Sequence, residues 1–144
     1  GLLGFGVGDV YLCPAPLYHA APLGWSMGAL RHGGTVVVME HFDAAAALEL
    51  IERHRVTHSQ WVPTMFVRML KLPPETRARY DMSSLHIAIH AAAPCPIPVK
   101  QQMIEWWGPV IHEFYGSTES GAVTFANSED ALKKPGTVGR IEVP

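Results

Sequence analysis

Short continuous runs of apolar residues, bounded by proline, glycine or polar turns, alternate along this chain with segments of helical period, and that alternation restricts the fold more than any other feature. Val10-Tyr11-Leu12-Cys13 is closed by Pro14, and Thr35-Val36-Val37-Val38-Met39 is opened by Gly33-Gly34. His86-Ile87-Ala88-Ile89-His90 and Val110-Ile111-His112-Glu113-Phe114 have a similar form, and the more polar Thr57 to Val62 also reads as a strand. Runs that are apolar throughout, not at every second position, describe strands buried on both faces. Buried strands separated by helices make a parallel sheet. The sequence therefore predicts an α/β fold of three layers, a mostly parallel sheet with helices on both faces.

The intervening helices carry their own signals. Asp43 is a good N-cap for a helix in which Ala44, Ala47, Leu48 and Ile51 share a stripe. Pro63 sits at the first turn of a helix carrying Phe66, Met69 and Leu70, which Pro73-Pro74 ends. Residues 75–84 read as a loop with room for one helical turn. Val99, Met103, Trp106 and Trp107 form the apolar face of another helix, stopped by Gly108-Pro109. Pro22 to Leu30 predicts a helix with Leu23, Met27 and Leu30 on one apolar face, weakened by Gly24 and Gly28 at about 1 kcal/mol each.

Composition excludes several classes of function. The 144 residues are 48% hydrophobic and 17% charged with a net charge of −2, which suits a single core and not a disordered tail. No lysine or arginine run is present to follow a phosphate backbone, so a nucleic-acid binder is not expected. No apolar run reaches the ~18 residues of a membrane span, and the glycine-rich opening lacks the basic flank of a signal peptide. Cys13 and Cys95 are far apart in apolar surroundings, which fits a reducing compartment and a cytoplasmic protein. The chain starts without methionine and stops at Ile141-Glu142-Val143-Pro144, where a strand could continue. An excerpt of a longer chain is therefore expected, and its cut sheet would expose apolar surface able to form a homo-oligomer.

In a parallel sheet of this kind ligands bind beyond the carboxyl ends of the strands, which directs attention to residues 16–20, 91–94 and 115–119. Tyr115-Gly116-Ser117-Thr118-Glu119-Ser120-Gly121 combines an aromatic face, a flexible backbone, hydroxyls and a carboxylate after a strand. Such a loop can hold a nucleotide, with the ring against a base, hydroxyls and N–H groups on phosphate oxygens, and the carboxylate on magnesium. It also has the composition of an ordinary polar turn. The histidines read as scattered core or surface residues: His54 and His58 straddle a helix end, and His86 and His90 share a strand face without a cysteine or nearby carboxylate. Gly4-x-Gly6-x-Gly8 precedes a strand instead of following one, and Gly116-Ser117-Thr118 is not a nucleophile elbow.

Tyr115-Gly116-Ser117-Thr118-Glu119 resembles the Tyr-Gly-x-Thr-Glu motif of the adenylate-forming superfamily, which includes acyl-CoA synthetases, peptide-synthetase adenylation domains and beetle luciferases. Other segments are similar in the same order. Asp9-Val10-Tyr11-Leu12 with Pro16-Leu17-Tyr18-His19 resembles the family's strand and Pro-Leu-x-His segment, and Leu30-x-x-Gly33-Gly34 its next βα unit. Thr57 to Thr64 resembles the Thr-x4-Val-Pro segment, Ala93-Pro94 the end of the Gly-Gly-Ala-Pro adenine loop, and Gly136-Thr137-Val138-Gly139-Arg140 the Gly-x-Val-Gly segment. The resemblance covers essentially the whole chain.

It implies an acyl-CoA synthetase that uses ATP, Mg2+ and coenzyme A to activate a carboxylic acid of fatty or aryl type. By the same resemblance, Tyr115 stacks on adenine, the Thr118 hydroxyl bonds the α-phosphate, and Glu119 binds magnesium. Phe114, Gly116 and Ser117 complete that strip. Ala91, Ala92, Ala93 and Pro94 line the other side of the base, with Glu113 near its amino group, although Ala91 and Ala92 stand where the family often has glycines. His19 lies near the acyl carboxylate, and Gly24, Trp25 and Gly28 shape the acyl pocket. The catalytic set is His19, Thr118 and Glu119. The phosphate loop with its lysine, the ribose-binding aspartate, the hinge and the small C-terminal domain are expected outside these residues, so that the chain alone completes no catalysis. Two other readings stand beside this one: a non-catalytic nucleotide- or partner-binding module derived from the family, and a different α/β nucleotide-binding enzyme that converged on the loop.

Overall fold

The computed structural model describes residues 3–141, so the strand continuation expected at 142–144 falls outside it. Within those residues the strands form one sheet. Their spatial order is Thr35–Val38 (β2), Val10–Cys13 (β1), His58–Trp61 (β3), Ile87–His90 (β4), Ile111–Ser117 (β5), Gly121–Ala126 (β6) and Arg140–Ile141 (β7). Pairings from β2 through β5 are parallel, whereas β5–β6 and β6–β7 are antiparallel. The mostly parallel sheet is thus as the apolar runs predict. The strict alternation of strand and helix fails at its far end, where β6 turns straight back on β5.

Register divides the sheet into two faces. Leu12 is opposite Ser59 and Val37, and Trp61 is opposite His90. On that face Leu12, Trp61, Ala88 and Ile111 pack under three helices, Ala44–His54 (α2), Pro63–Leu70 (α3) and Ile97–Trp107 (α5). Leu48, Ile51, Phe66, Met69, Met103 and Trp107 fill the core there. Its centre is aromatic, with Trp61 5.4 Å from Trp107 and 6.2 Å from Phe66 in edge-on or tilted contact. The helix starts follow the sequence signals: the Asp43 carboxylate accepts from the Ala46 amide at 2.8 Å, and Pro63 occupies the first turn of α3. A short helix, Pro74–Ala78 (α4), is the turn allowed for after Pro73.

The opposite face carries Tyr11 and Cys13, covered by the helix Ala20–Arg31 (α1) through Ala29 and Trp25. Here the sequence expectation needs correction. The residues α1 buries are Pro22, Ser26 and Ala29, while Leu23, Met27 and Leu30 are exposed. The reason is bulk: Tyr11, Phe5, Val36 and Trp25 already fill this layer, so the helix approaches with its small side chains. The Ser26 hydroxyl is satisfied internally by the Pro22 carbonyl at 2.7 Å.

The antiparallel end was not expected from the sequence. A capping box, in which Asn127 accepts from the Asp130 amide and Asp130 accepts from the Asn127 amide, starts the helix Ser128–Lys133 (α6). β7 then lies against β6, and Gly139 is required there because a Cβ would overlap the Phe125 carbonyl.

Candidate functional site

The parallel strands all end at one edge of the sheet, and the segments leaving that edge hold the residues singled out by the sequence. β5 continues to Ser117, so Tyr115, Gly116 and Ser117 belong to a strand and not to a loop. The loop shrinks to the turn between Ser117 and Gly121. A register shift falls between Tyr115 and Gly116, and a side chain at Gly116 would overlap the Gly121 carbonyl. Glycine is therefore compelled at this position by backbone approach.

The turn is tied by its serines. The Ser117 amide donates to Ser120 Oγ at 3.0 Å, the Ser120 amide donates to Ser117 Oγ at 3.1 Å, and Ser120 Oγ donates to the Gly121 carbonyl at 3.0 Å. Glu119 projects from this turn fully exposed, its carboxyl held below the usual range by its own amide and then by the Ser117 hydroxyl. It is an ionised carboxylate at neutral pH. Tyr115 is 61% exposed, and Thr118, three residues on, is exposed as well.

The next group of these residues follows β4. The last rung of the β4–β5 ladder pairs His90 with Glu113, and beyond it the chains diverge into residues 91–96 on one side and Tyr115 on the other. Ala91 is buried, its amide donating to the Trp61 carbonyl at 3.3 Å, whereas Ala92, Ala93 and Pro94 are exposed. Ala92 has φ +78, a left-handed conformation that alanine rarely adopts. That explains why glycine is common at this position in the family the sequence resembles.

The predicted acyl-side residues lie on α1. His19 is its exposed N-cap, with the Tyr18 ring 4.6 Å away, and its side chain accepts no capping bond from the first-turn amides. Trp25 reaches β5, its ring 6.0 Å from Phe114 in edge contact, and its indole N–H is buried without a partner. Phe114 is held from the other side by Phe125 at 6.3 Å. Gly24 opens onto free space, and a Cβ at Gly28 would touch Phe5 at 3.6 Å.

Glu113 behaves differently from the expectation. Its carboxylate is turned into the packed face and bonded to Lys100 of α5, both side chains being buried. His90 Nε2 lies 3.9 Å from the same carboxylate, which corrects the reading that His90 has no carboxylate nearby. His86, outside β4, faces His58 at 6.3 Å, so the two histidines do not share a face. Burial, and next the Lys100 charge, lowers the His90 pKa to about 3, and both ring nitrogens lack partners. Cys95 is half-buried beside the same charges, and burial raises its thiol to about 11. Lys100 carried no signal in the sequence, since a lysine in a first helical turn reads as solvated.

A cavity of about 190 Å³ lies over β4, β5 and β6 on the sheet face opposite α5, lined by Ile87, Ile89, His112, Glu113, Phe125 and Asn127. Among the described residues, no three His, Cys, Asp or Glu side chains converge on a metal position. The single ionised Glu119 fits magnesium, which commonly takes one or two carboxylates and completes its shell with phosphate oxygens and water. No helix among the described residues is long and apolar enough to cross a membrane.

Comparison with known proteins agrees with the fold. A family model described as AMP-binding enzyme matches residues 2–143. The chain is 39% identical over 123 residues to 4-coumarate–CoA ligase 1 of Oryza sativa subsp. japonica, covering 84% of this chain and 22% of that protein. The N-terminal domain of FACL13 from Mycobacterium tuberculosis superposes with a TM-score of 0.84 at 30% identity, over 96% of this chain and 34% of that one. The o-succinylbenzoate CoA synthetase of Bacillus subtilis, in complex with ATP and magnesium ion, superposes with a TM-score of 0.81 at 27% identity, over 97% and 28%. The chain thus spans about a quarter of the length of the curated relatives it matches.

Proposed function

The chain belongs to the AMP-binding enzyme family, and from that premise we propose that it is the central part of an acyl-CoA synthetase acting on a fatty or aryl carboxylic acid. The observation that carries this reading is the β4–β5 divergence, which sets residues 91–94 and Tyr115 as two walls with the Ser117–Glu119 turn at their end. In this reading the adenine lies between residues 91–94 and the exposed Tyr115 ring, with the phosphates toward the turn.

In the proposed reaction an acyl carboxylate oxygen bonds to the α-phosphorus of ATP and the bond to the bridging oxygen breaks, releasing pyrophosphate. The thiol sulfur of coenzyme A then bonds to the acyl carbon, AMP leaves, and the thiol proton passes to solvent. Negative charge grows on the α-phosphate oxygens during the first step. The Thr118 hydroxyl donates a hydrogen bond there, and Glu119 would hold magnesium, which when bound neutralises phosphate charge. Gly116 and Ser117 keep the turn backbone close to the phosphates, while His19 orients the acyl carboxylate. Gly24, Trp25 and Gly28 shape the acyl pocket on α1, and Phe114 anchors Trp25.

The free state of Cys13 and Cys95 supports a reducing cytoplasmic setting. The exposed Leu23, Met27 and Leu30 support contact with a second copy or with further chain of the same protein. Acid-dependent ATP–pyrophosphate exchange tests the proposal. Exchange is expected from a longer polypeptide carrying these residues and not from the 144 residues alone. Exchange by neither would favour the second reading, a non-catalytic nucleotide- or partner-binding module.

A further inference from the structure

The buried Lys100–Glu113 pair is not explained by any contact with substrate, and its place in the fold is specific. Glu113 stands on the last rung of the β4–β5 ladder, two residues before Tyr115. Lys100 is in the first turn of α5, directly after the 91–96 segment. The pair therefore bridges the two elements from which the walls of the nucleotide slot depart, and it closes the 91–96 segment into a loop fixed at both ends. His90, at the start of that loop, is fully buried with its Nε2 3.9 Å from the Glu113 carboxylate. On its other side Lys100 borders a space of about 10 Å³ between α5 and residues 131–136, room for one water at most.

Stability alone is a poor reason for this arrangement. Ion pairs buried to this degree lose most of their Coulomb attraction to desolvation, and well-packed apolar replacements are often as stable or more so. A buried pair does impose a fixed geometry, because either charge without the other is strongly disfavoured. We infer that Lys100 and Glu113 are positioning residues, a clamp that sets the separation of the 91–94 wall from Tyr115 and so governs affinity for the adenine nucleotide. The kinetic consequence rests on the nucleotide reading given above; the structural consequence does not.

Two measurements separate them. In the 144-residue chain, the double variant Lys100→Met/Glu113→Leu replaces the pair by apolar groups. Amide hydrogen exchange at residues 91–93, 95 and 113–116 is expected to accelerate at least tenfold, with β1 and α2 unchanged. Uniform acceleration, or none, would overturn the clamp whatever the chain's activity. In a longer polypeptide competent for acid-dependent exchange, the same double variant should raise the KM for ATP about tenfold, with the KM for the acid and kcat within about threefold. Lys100→Arg, which keeps the charge pair, should restore most of the ATP affinity. An unchanged KM for ATP would overturn the role in affinity, and absence of exchange from the unsubstituted polypeptide would overturn the acyl-CoA synthetase reading while leaving the exchange arm to judge the clamp. Should the double variant fail to fold, Lys100→Gln/Glu113→Gln keeps a neutral hydrogen bond and is read in the same two ways.

Discussion

The packed face of the sheet and the rim at its strand ends are built from the same strands under opposite rules. Beneath α2, α3 and α5, Leu48, Phe66 and Met103 are fully buried and exclude water. At the rim, Tyr115, Thr118, Glu119 and His19 are exposed, and Ala92 holds a left-handed backbone. The first region obtains stability from packing. The second forgoes some of it so that polar groups remain available to a ligand. Truncating the core should damage the fold and spare the chemistry, and altering the rim should do the reverse.

The largest effect expected is in the core. Leu48→Ala removes a side chain buried between α2 and β1, away from the β4–β5 edge, and should cost about 2–5 kcal/mol. Thermal melts would show a fall of roughly 10 °C, while the KM for ATP of the folded protein stays the same. Loss of nucleotide affinity in step with stability would break the division. At the rim, Glu119→Gln should lower the rate of acyl-adenylate formation about a hundredfold with no change in melting temperature. A matched loss of melting temperature would make Glu119 a structural residue of the turn.

A third effect lies where the regions meet. His90 is neutral in the folded chain, its pKa lowered to about 3 from an ordinary 6.5. Unfolding therefore takes up a proton at any pH between those values, and stability that is complete above pH 6.5 is lost as the pH falls toward 3, at about 1.4 kcal/mol per unit. His58 and His112 are lowered by burial as well and act in the same direction. Urea unfolding should thus show about 2 kcal/mol less stability at pH 5 than at pH 6.5, and His90→Leu should flatten that slope. An equally steep slope in His90→Leu would assign the proton uptake elsewhere.

The two regions were also unequally legible in the sequence. Packing rules that act between neighbours in the chain were readable: apolar runs marked the parallel strands other than the largely polar β3, Asp43 and Pro63 marked their helices, and Gly108 closed α5. The rim was readable through its residue types, since tyrosine, hydroxyls and a carboxylate after a strand have few uses together. What escaped depends on contacts across the fold. Lys100 is buried only because β5 brings Glu113 to it, and the small face of α1 could be chosen only by the bulk of Tyr11 and Phe5. The antiparallel return of β6 was hidden by a polar turn, Thr118-Glu119-Ser120, that has no hairpin glycine pair, although Asn127 and Asp130 offered a capping signal for α6.

The smallest effect expected has the opposite sign from the first and so tests the contrast most directly. Ala92 lies at φ +78, where a Cβ costs roughly 1–2 kcal/mol. Glycine removes that strain but adds back freedom to the unfolded chain, an opposing effect of about 0.5–1 kcal/mol. Ala92→Gly should therefore stabilise the chain by about 0.5–1 kcal/mol, a few-fold in the folding equilibrium, whereas removing methyl groups at Leu48 destabilises it. In the same variant the wall of the nucleotide slot loses a methyl and some rigidity, so the KM for ATP should rise about threefold. A thermal melt and an ATP titration on one protein decide the matter. If Ala92→Gly melts lower than the parent, the Ala92 methyl is packed like the core, and the strained rim is not set apart from the face beneath it.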